Sequence, residues 1–536
     1  MIVKSLRLLD CTLRDGGYVN NWDFGHSVIT GTYKRLDSSG ADFIEVGFLD
    51  DRQPFDINRT IQPDTGCYNE IFKGVQKKQA IPLAMIDFGT CSIENISDCS
   101  ETFIDGIRVI FKKEKIEQAL PFCKAIKEKG YKLFIQAISI TAYSDIEMLQ
   151  YVEKINEIHP FAFSIVDTYG LLDQRKLDRY FSLIDNNLAP DIAIGYHGHN
   201  NFQLAFSNTL HFIQLYTDRE MIADATVYGM GKSAGNCPIE LIALYMNQLY
   251  GKNYDVCQYL EILDTDLMSV YQNVYWGYKY NFYISAMQNC HPNYVQYLLN
   301  KKTLSVSSVN KILSEIPENI KLHYSADYIE KAYTEYQSRN IDDSQAIASL
   351  SAILSGKKVL VIGPGRSLQT ESGAVSNYLT AEQPVVISVN FDPDDYNADF
   401  IFVSNAKRYS KLSDIHDIAS VQSRLIVTSN IVPYDRKADF ILNYSSLNSA
   451  NRQNSDNALL LLLAALAKTG VKEAALAGFD GYSASGENYF DMKYEFGGND
   501  EYYIKSNEVT INGLRELSKL ITIRFITESL YSEALM

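Results

Sequence analysis

Eight apolar runs with the length of buried strands begin near Leu6, Asp42, Ile81, Ile104, Lys132, Phe161, Asp191 and Ala223. Amphipathic stretches separate them; in Lys115–Lys129 and Asp145–Ile158 the apolar residues recur at helical spacing. Strand and helix alternating in this way over about 240 residues is the pattern of a closed (β/α)8 barrel, with a doubly wound open sheet as the competing architecture. The barrel is preferred because the polar candidate residues follow strands one, seven and eight, which only a closed ring brings together at one end.

Beyond the barrel the chain changes character. From about Gly251 to Asp342 it is Tyr-rich and helical, and YWGYKYNFYISA at Tyr275–Ala286 predicts a helix with aromatic side chains on more than one face. From Gly356 short apolar strands return, in KKVLVIGPG, Pro384–Asn390, Asp399–Asn405, Arg424–Asn430, Asp439–Tyr444 and Ala474–Asp480. They end in Gly, Asn or Asp, as in an open Rossmann-like α/β domain. The expected division is therefore a barrel over 1–250, a helical extension and linker over 251–355, and a Rossmann-like domain over 356–536. The extension is expected to cap the barrel mouth or to form a homo-oligomer surface.

A formal net charge of −16 argues against sequence-independent nucleic-acid binding, which needs Lys and Arg to neutralise phosphates. The longest uncharged apolar run, Ala458–Ala467, is too short to span a bilayer and reads as a buried helix. The N-terminus MIVKSLRLLD lacks a secretory signal pattern. The eight cysteines include no CxxC pair, so neither a zinc knuckle nor a disulfide framework is expected. A cytoplasmic protein with no membrane partner and reduced thiols is the expectation.

Three stretches carry chemistry. LLDCTLRDGG (Leu8–Gly17) runs from a strand into a tight loop with Arg14 and Asp15 side by side, a cation and a carboxylate able to hold a metal and a developing oxyanion. YHGHNN (Tyr196–Asn201) places His197 and His199 two residues apart, on one side of an extended backbone. GMGKSAGN (Gly229–Asn236) completes the set. Two imidazoles and one carboxylate suit a divalent transition metal; manganese is the first choice, and zinc, iron or cobalt also fit. Solvated ion pairs and capping histidines are the bland alternative.

With IEVGF (Ile44–Phe48) and VDTYG (Val166–Gly170), these motifs resemble, in order, those of the metal-dependent lyase superfamily. That group holds 4-hydroxy-2-oxovalerate aldolase, hydroxymethylglutaryl-CoA lyase and the isopropylmalate and homocitrate synthases. The resemblance spans roughly residues 5 to 250 and implies a TIM-barrel aldolase that cleaves or forms a 4-hydroxy-2-oxo acid through a pyruvate-type enolate. It assigns Asp15, His197 and His199 as metal ligands, Asn236 beside them, and Arg14 to the enolate oxygen. Glu45 and Asp167 match acidic residues at the ends of strands two and six, open to substrate contact or to bracing the loops. A divalent ion (Mn2+, or Zn2+, Mg2+ or Co2+), a 2-oxo acid and an aldehyde are the implied partners.

Tyr18 stands where the oxovalerate aldolases have histidine and the CoA-dependent synthases glutamine, so it can serve the proton transfer directly, act through water, or only pack. The strand-five motif, IQAISIT at Ile135–Thr141, is also altered. The Tyr-rich segment resembles the helical region through which oxovalerate aldolases contact an aldehyde dehydrogenase, and Tyr280 is the candidate for the functional tyrosine there. An acyl-CoA Claisen synthase and a non-catalytic binding barrel are the alternatives.

The C-terminal run GPGRSL (Gly363–Leu368), with SVNF and AGFD, is similar to the Rossmann-like fold of bacterial sialyltransferases and hydroxymethylpterin-pyrophosphokinase-like proteins. That resemblance puts Gly363, Gly365, Ser367 and Asn390 at nucleotide-contacting positions, for a nucleotide or nucleotide sugar. Leu368 at the third glycine position and Asn390 in place of an acid disfavour NAD. A tight strand-to-helix turn is the plainer reading of the same glycines.

Overall fold

The computed structural model describes residues 5–535 except 394, 416–420, 434–435, 449–455, 484–486, 496 and 498–499. The chain forms two compact units, Met1–Pro292 and Asn293–Met536. Among the described residues no helix is long and apolar enough to cross a membrane.

The first unit is a closed barrel of eight parallel strands: β1 (Leu6–Asp10), β2 (Phe43–Leu49), β3 (Ile81–Asp87), β4 (Gly106–Ile110), β5 (Lys132–Ala137), β6 (Ala162–Asp167), β7 (Ala193–Gly198) and β8 (Met221–Ala225). Closure is made by β1, which pairs with β8 from Leu6↔Met221 to Asp10↔Ala225 and with β2 at Leu9↔Phe43 and Asp10↔Ile44. A two-residue strand, Ile61–Gln62, pairs with the end of β2 outside the ring.

Side chains alternate across each strand, which sorts the residues into layers. Ile44, Ile107, Val109, Ile135, Phe163 and Ile194 face outward into the core shared with the helices. Leu9, Phe43, Leu83, Phe134, Ala162, Ala193 and Ile222 form an apolar plug within the ring. Two residues further along the strands the interior turns polar, with Glu45, Arg108, Gln136, Ser164 and Asp224 all buried. The apolar plug closes the bottom of the barrel, and this polar layer forms the floor beneath its C-terminal mouth.

The expected helices lie close to their sequence limits. Asp145–Ile158 begins at a capping box in which Ser144 and Glu147 exchange side-chain-to-backbone hydrogen bonds. The Tyr275–Ala286 expectation is shortened: the helix is Tyr280–Met287, because Gly277 at φ +131° takes the preceding residues out of helical conformation.

The second unit contains a seven-stranded all-parallel sheet: β9 (Val359–Ile362), β10 (Val385–Val389), β11 (Phe400–Val403), β12 (Arg424–Thr428), β13 (Phe440–Leu442), β14 (Glu473–Ala477) and β15 (Thr522–Phe525). Their spatial order is β13-β12-β11-β10-β9-β14-β15, so the winding reverses once, between β9 and β14. β15 is absent from the sequence expectation; it is a four-residue edge strand whose side chains are half-buried or exposed. The apolar run is the buried helix Ala458–Lys468. The linker sought near Asp342–Ser355 is largely the helix Ser344–Leu354.

Candidate metal centre

Arg14 and Asp15 sit in a single helical turn, Thr12–Asp15, rather than in an open loop. Trp22 holds that turn: its indole N–H donates to the Arg14 carbonyl at 2.9 Å, and a Cβ at Gly17 would lie 2.0 Å from the indole ring. The second glycine of RDGG therefore makes room for Trp22.

His197 lies in β7, and His199 just beyond it pairs with Asn236 through a backbone bridge. One ligand atom from each of Asp15, His197 and His199 falls within 4.8 Å of the others, and all three residues are buried. The His197 Nε2 to Asp15 Oδ2 distance is 3.5 Å. Asn236 Nδ2 donates to Asp15 Oδ1 at 3.0 Å, as does the Lys232 backbone N–H at 2.8 Å. Two buried atoms of the set, His199 Nδ1 and Asn236 Oδ1, have no hydrogen-bond partner among the described residues. Acceptors are rarely left so in a protein interior, and a divalent cation satisfies both. The residues fit the metal that the sequence implies.

The electrostatics agree. Burial opposes ionisation of Asp15, but Arg14 and the two histidines outweigh it and hold the carboxyl well below the usual range. Burial pushes His199 down to about 3, leaving a neutral imidazole. Burial also disfavours protonated His197, yet hydrogen bonds to Asp15 and Asp224 raise its pKa. His197 Nδ1 is 3.1 Å from Asp224 Oδ2; with the proton on Nδ1, Nε2 is free as a ligand.

Beneath the ligands lies an ion network that the sequence reading did not anticipate. Arg108 on β4 hydrogen-bonds Glu45 at 3.1 Å, Gln136 at 2.8 Å and Asp224. Glu45 Oε2 also accepts from Arg14 Nε at 2.8 Å, and Arg14 Nη1 donates to Asp15. Two guanidiniums thus face three carboxylates, an excess of negative charge that a divalent ion reverses. Cys11, His197 and Asp224 also converge, but the Arg108 guanidinium is 3.4 Å from Cys11 Sγ and already supplies the positive charge.

Glu45 is the third residue of β2, level with the end of β1, and holds Arg14 in place. Asp167 accepts from the Leu171 and Leu172 N–H groups at 2.8 and 3.0 Å, bracing its own loop. Tyr18 stands at the mouth, 41% exposed, edge-on to Trp22, with its hydroxyl pushed up to about 12 by desolvation. Tyr280 is 57% exposed, and among the described residues no hydrogen bond or ring contact joins it to the ligand cluster. From the same segment Tyr283 and His291 instead meet Phe202 and Tyr169, on the loops after β7 and β6. Trp276 donates to the Tyr228 carbonyl at 3.0 Å.

Residues 5–265 match the HMGL-like family model. The same segment has curated relatives with different named activities. An oxaloacetate decarboxylase of Mycobacterium tuberculosis is 24% identical over 309 residues, covering 56% of this chain and 89% of the relative. A 4-hydroxy-2-oxovalerate aldolase of Geobacillus genomosp. 3 is 23% identical over 250 residues, 46% of this chain and 72% of the relative. A 2-isopropylmalate synthase of Sulfolobus acidocaldarius is 25% identical over 262 residues, 48% and 66% of the two chains.

In the second unit the GPG turn uses its donors internally. Gly363 and Gly365 donate to the Ala477 and Gly478 carbonyls, both at 2.9 Å. The Ser367 N–H donates to Asp480 Oδ2 at 2.9 Å, and its hydroxyl also bonds Asp480. The anion at the start of helix Ser367–Thr370 is thus the protein's own carboxylate, that of Asp480. A Cβ at Gly365 would lie 2.5 Å from the Gly478 carbonyl oxygen, so that glycine is required by packing. Asn390 follows the end of β10, two residues beyond Ser388, which pairs with Ile362 just before the GPG turn; it has φ +66° and a buried Oδ1 with no hydrogen-bond partner among the described residues.

Proposed function

We propose that the barrel is a divalent-metal-dependent carbon–carbon lyase of the aldolase type, cleaving or forming a 4-hydroxy-2-oxo acid with a pyruvate-type product. The observation that carries this reading is the convergence of Asp15, His197 and His199 with two unsatisfied buried atoms, His199 Nδ1 and Asn236 Oδ1. These residues would hold the ion, manganese being our first choice. When bound, it supplies Lewis-acid polarisation of the substrate's 2-carbonyl group.

The protein's own groups do the rest. Arg14, held by Glu45 and Asp15, presents a fixed positive charge to oxygen that becomes negative as the bond breaks. Asp224 and Arg108 fix the His197 ring. Tyr18 is neutral at physiological pH, so in the synthetic direction its hydroxyl can donate a proton to the new alcohol oxygen and be reprotonated from water; in cleavage its oxygen takes the substrate hydroxyl's proton as its own proton leaves to water. Tyr280 is left out, because among the described residues no hydrogen bond or ring contact joins it to the cluster.

The test is a pyruvate-release screen over 4-hydroxy-2-oxo acids, with and without manganese, on wild type and on His197→Ala. Metal-dependent release that the variant loses supports the reading; metal retained by His197→Ala contradicts the ligand assignment. The relative named oxaloacetate decarboxylase favours a second reading, loss of carbon dioxide from a 2-oxo acid at the same centre, which a carbon dioxide assay on the same panel distinguishes. Release of free CoA from acetyl-CoA would instead mark a condensing synthase.

A further inference from the structure

One cation at the barrel mouth has no role in the network described above. Lys232, in the GMGKSAGN turn, is fixed through its backbone N–H on Asp15, so the main chain beside it is part of the ligand scaffold. Its ammonium lies 5.4 Å from the centre of the Tyr18 ring. Among the described residues that ammonium donates to no carboxylate, carbonyl or hydroxyl. A partly buried charge normally has such a partner.

The nearby acids are not available to it. Both Asp15 oxygens are engaged, one by Arg14 and the other by Asn236 and the Lys232 backbone itself. Asp87, at the end of β3, acts on Lys232 only through space, and Lys115, Lys112 and Arg52 surround that same aspartate. Arg52 is itself paired with Asp50, but Lys112 and Lys115 share Asp87 with Lys232, so that carboxylate does not serve Lys232 alone. Arg14 is held by Asp15 and Glu45 at the metal centre, which leaves Lys232 as the cation available to the outer end of a substrate.

We propose that Lys232 Nζ receives a second carboxylate of the substrate, which makes the preferred ligand a dicarboxylic 2-oxo acid. This rests on the 2-oxo acid reading of the metal centre: the 2-oxo carboxylate end is held there, and the distal carboxylate reaches the ammonium over Tyr18. A monocarboxylic tail leaves that charge without an acceptor in a partly desolvated site. The penalty falls on binding of one class of substrate and not of the other.

Calorimetry on the full-length, manganese-loaded protein tests this with two ligands of equal chain length, 2-oxoglutarate and 2-oxovalerate, which differ in a carboxylate against a methyl group. Wild type is expected to bind 2-oxoglutarate at least roughly tenfold more tightly, the size of one partly desolvated charge pair. Lys232→Met is expected to bring the ratio of the two dissociation constants to about one, and Lys232→Arg to retain part of the preference. Equal binding of the two acids by wild type, or a preference that survives in Lys232→Met, overturns the assignment while leaving the 2-oxo acid reading intact. Failure of both acids to bind wild type overturns the two together. The wild-type ratio stands by itself should the methionine variant not fold.

Discussion

Replacing Arg108 by methionine probes the ion network directly. The side chain is 1% exposed and holds Glu45, Asp224 and Gln136 at once, so its loss strands charge in the barrel interior. Breaking one partner of a buried pair costs about 3–5 kcal/mol. Glu45 keeps Arg14 and Asp224 keeps His197, which places the expected loss near the lower end. At roughly 2–4 °C per kcal/mol for a unit of this size, metal-free protein should melt roughly 6–12 °C lower. Affinity for manganese should fall about 10–100-fold, because the Asp224 that orients His197 loses its own support. The sign with pH is also fixed. Burial resists ionisation of Asp224, but Arg108 and His197 outweigh it and depress its folded pKa, so it stabilises the fold above its unfolded value and that stability is lost as pH falls through the folded one. Without Arg108 the folded pKa rises, so the deficit of the variant should be largest at neutral pH and shrink as pH falls through about 4. Calorimetric melting and manganese titration measure both effects. A variant within about 1 kcal/mol of wild type, with unaltered metal affinity, would refute the reasoning.

Other perturbations separate the site from the fold. Gly231→Ala places a Cβ 2.0 Å from Asn236 Nδ2 and 2.5 Å from Asp15 Oδ1; bound manganese by elemental analysis should drop sharply while far-ultraviolet dichroism is kept. The raised His197 pKa stabilises the apo protein below its unfolded value of about 6.5, and that contribution is lost as pH rises through the folded pKa. Manganese competes with the same proton, so its affinity should rise with pH over that interval, with proton release detectable by calorimetry in buffers of different ionisation enthalpy. Gly365→Ala should destabilise the second unit by about 1–3 kcal/mol in denaturant melts, since its Cβ meets main chain that cannot give way.

The barrel was legible because its strands are apolar runs at regular intervals, each beginning within about two residues of the expected place. The convergence of Asp15, His197, His199 and Asn236 was legible because short motifs place them in β7 or in the segments that follow β1, β7 and β8. Arg108 and Asp224 were not: they lie 116 positions apart, and only barrel closure shows that two charges in apolar strands share one interior layer. A charged residue inside GIRVI and MIADA was the available signal. In the second unit the GPG turn was visible, but Asp480, which occupies its anion position, comes from 113 residues further along the chain. Sequence spacing carries no trace of that pairing.

Because the first strand is locked by the eighth, Asp15 and Asn236 stay strangers until some 230 residues of chain exist. The Val227 N–H then donates to Thr12 Oγ1 at 2.8 Å, and the Cys11 N–H to the Ala225 carbonyl at the same distance, fastening the seam directly beneath the ligands. Before the eighth strand is in place, Asp15 lacks the Asn236 and Lys232 hydrogen bonds that orient it towards the two imidazoles. A cation held by Asp15, His197 and His199 would then clasp the turn after the first strand to the strand beside the eighth, and its uptake would be coupled to completion of the ring.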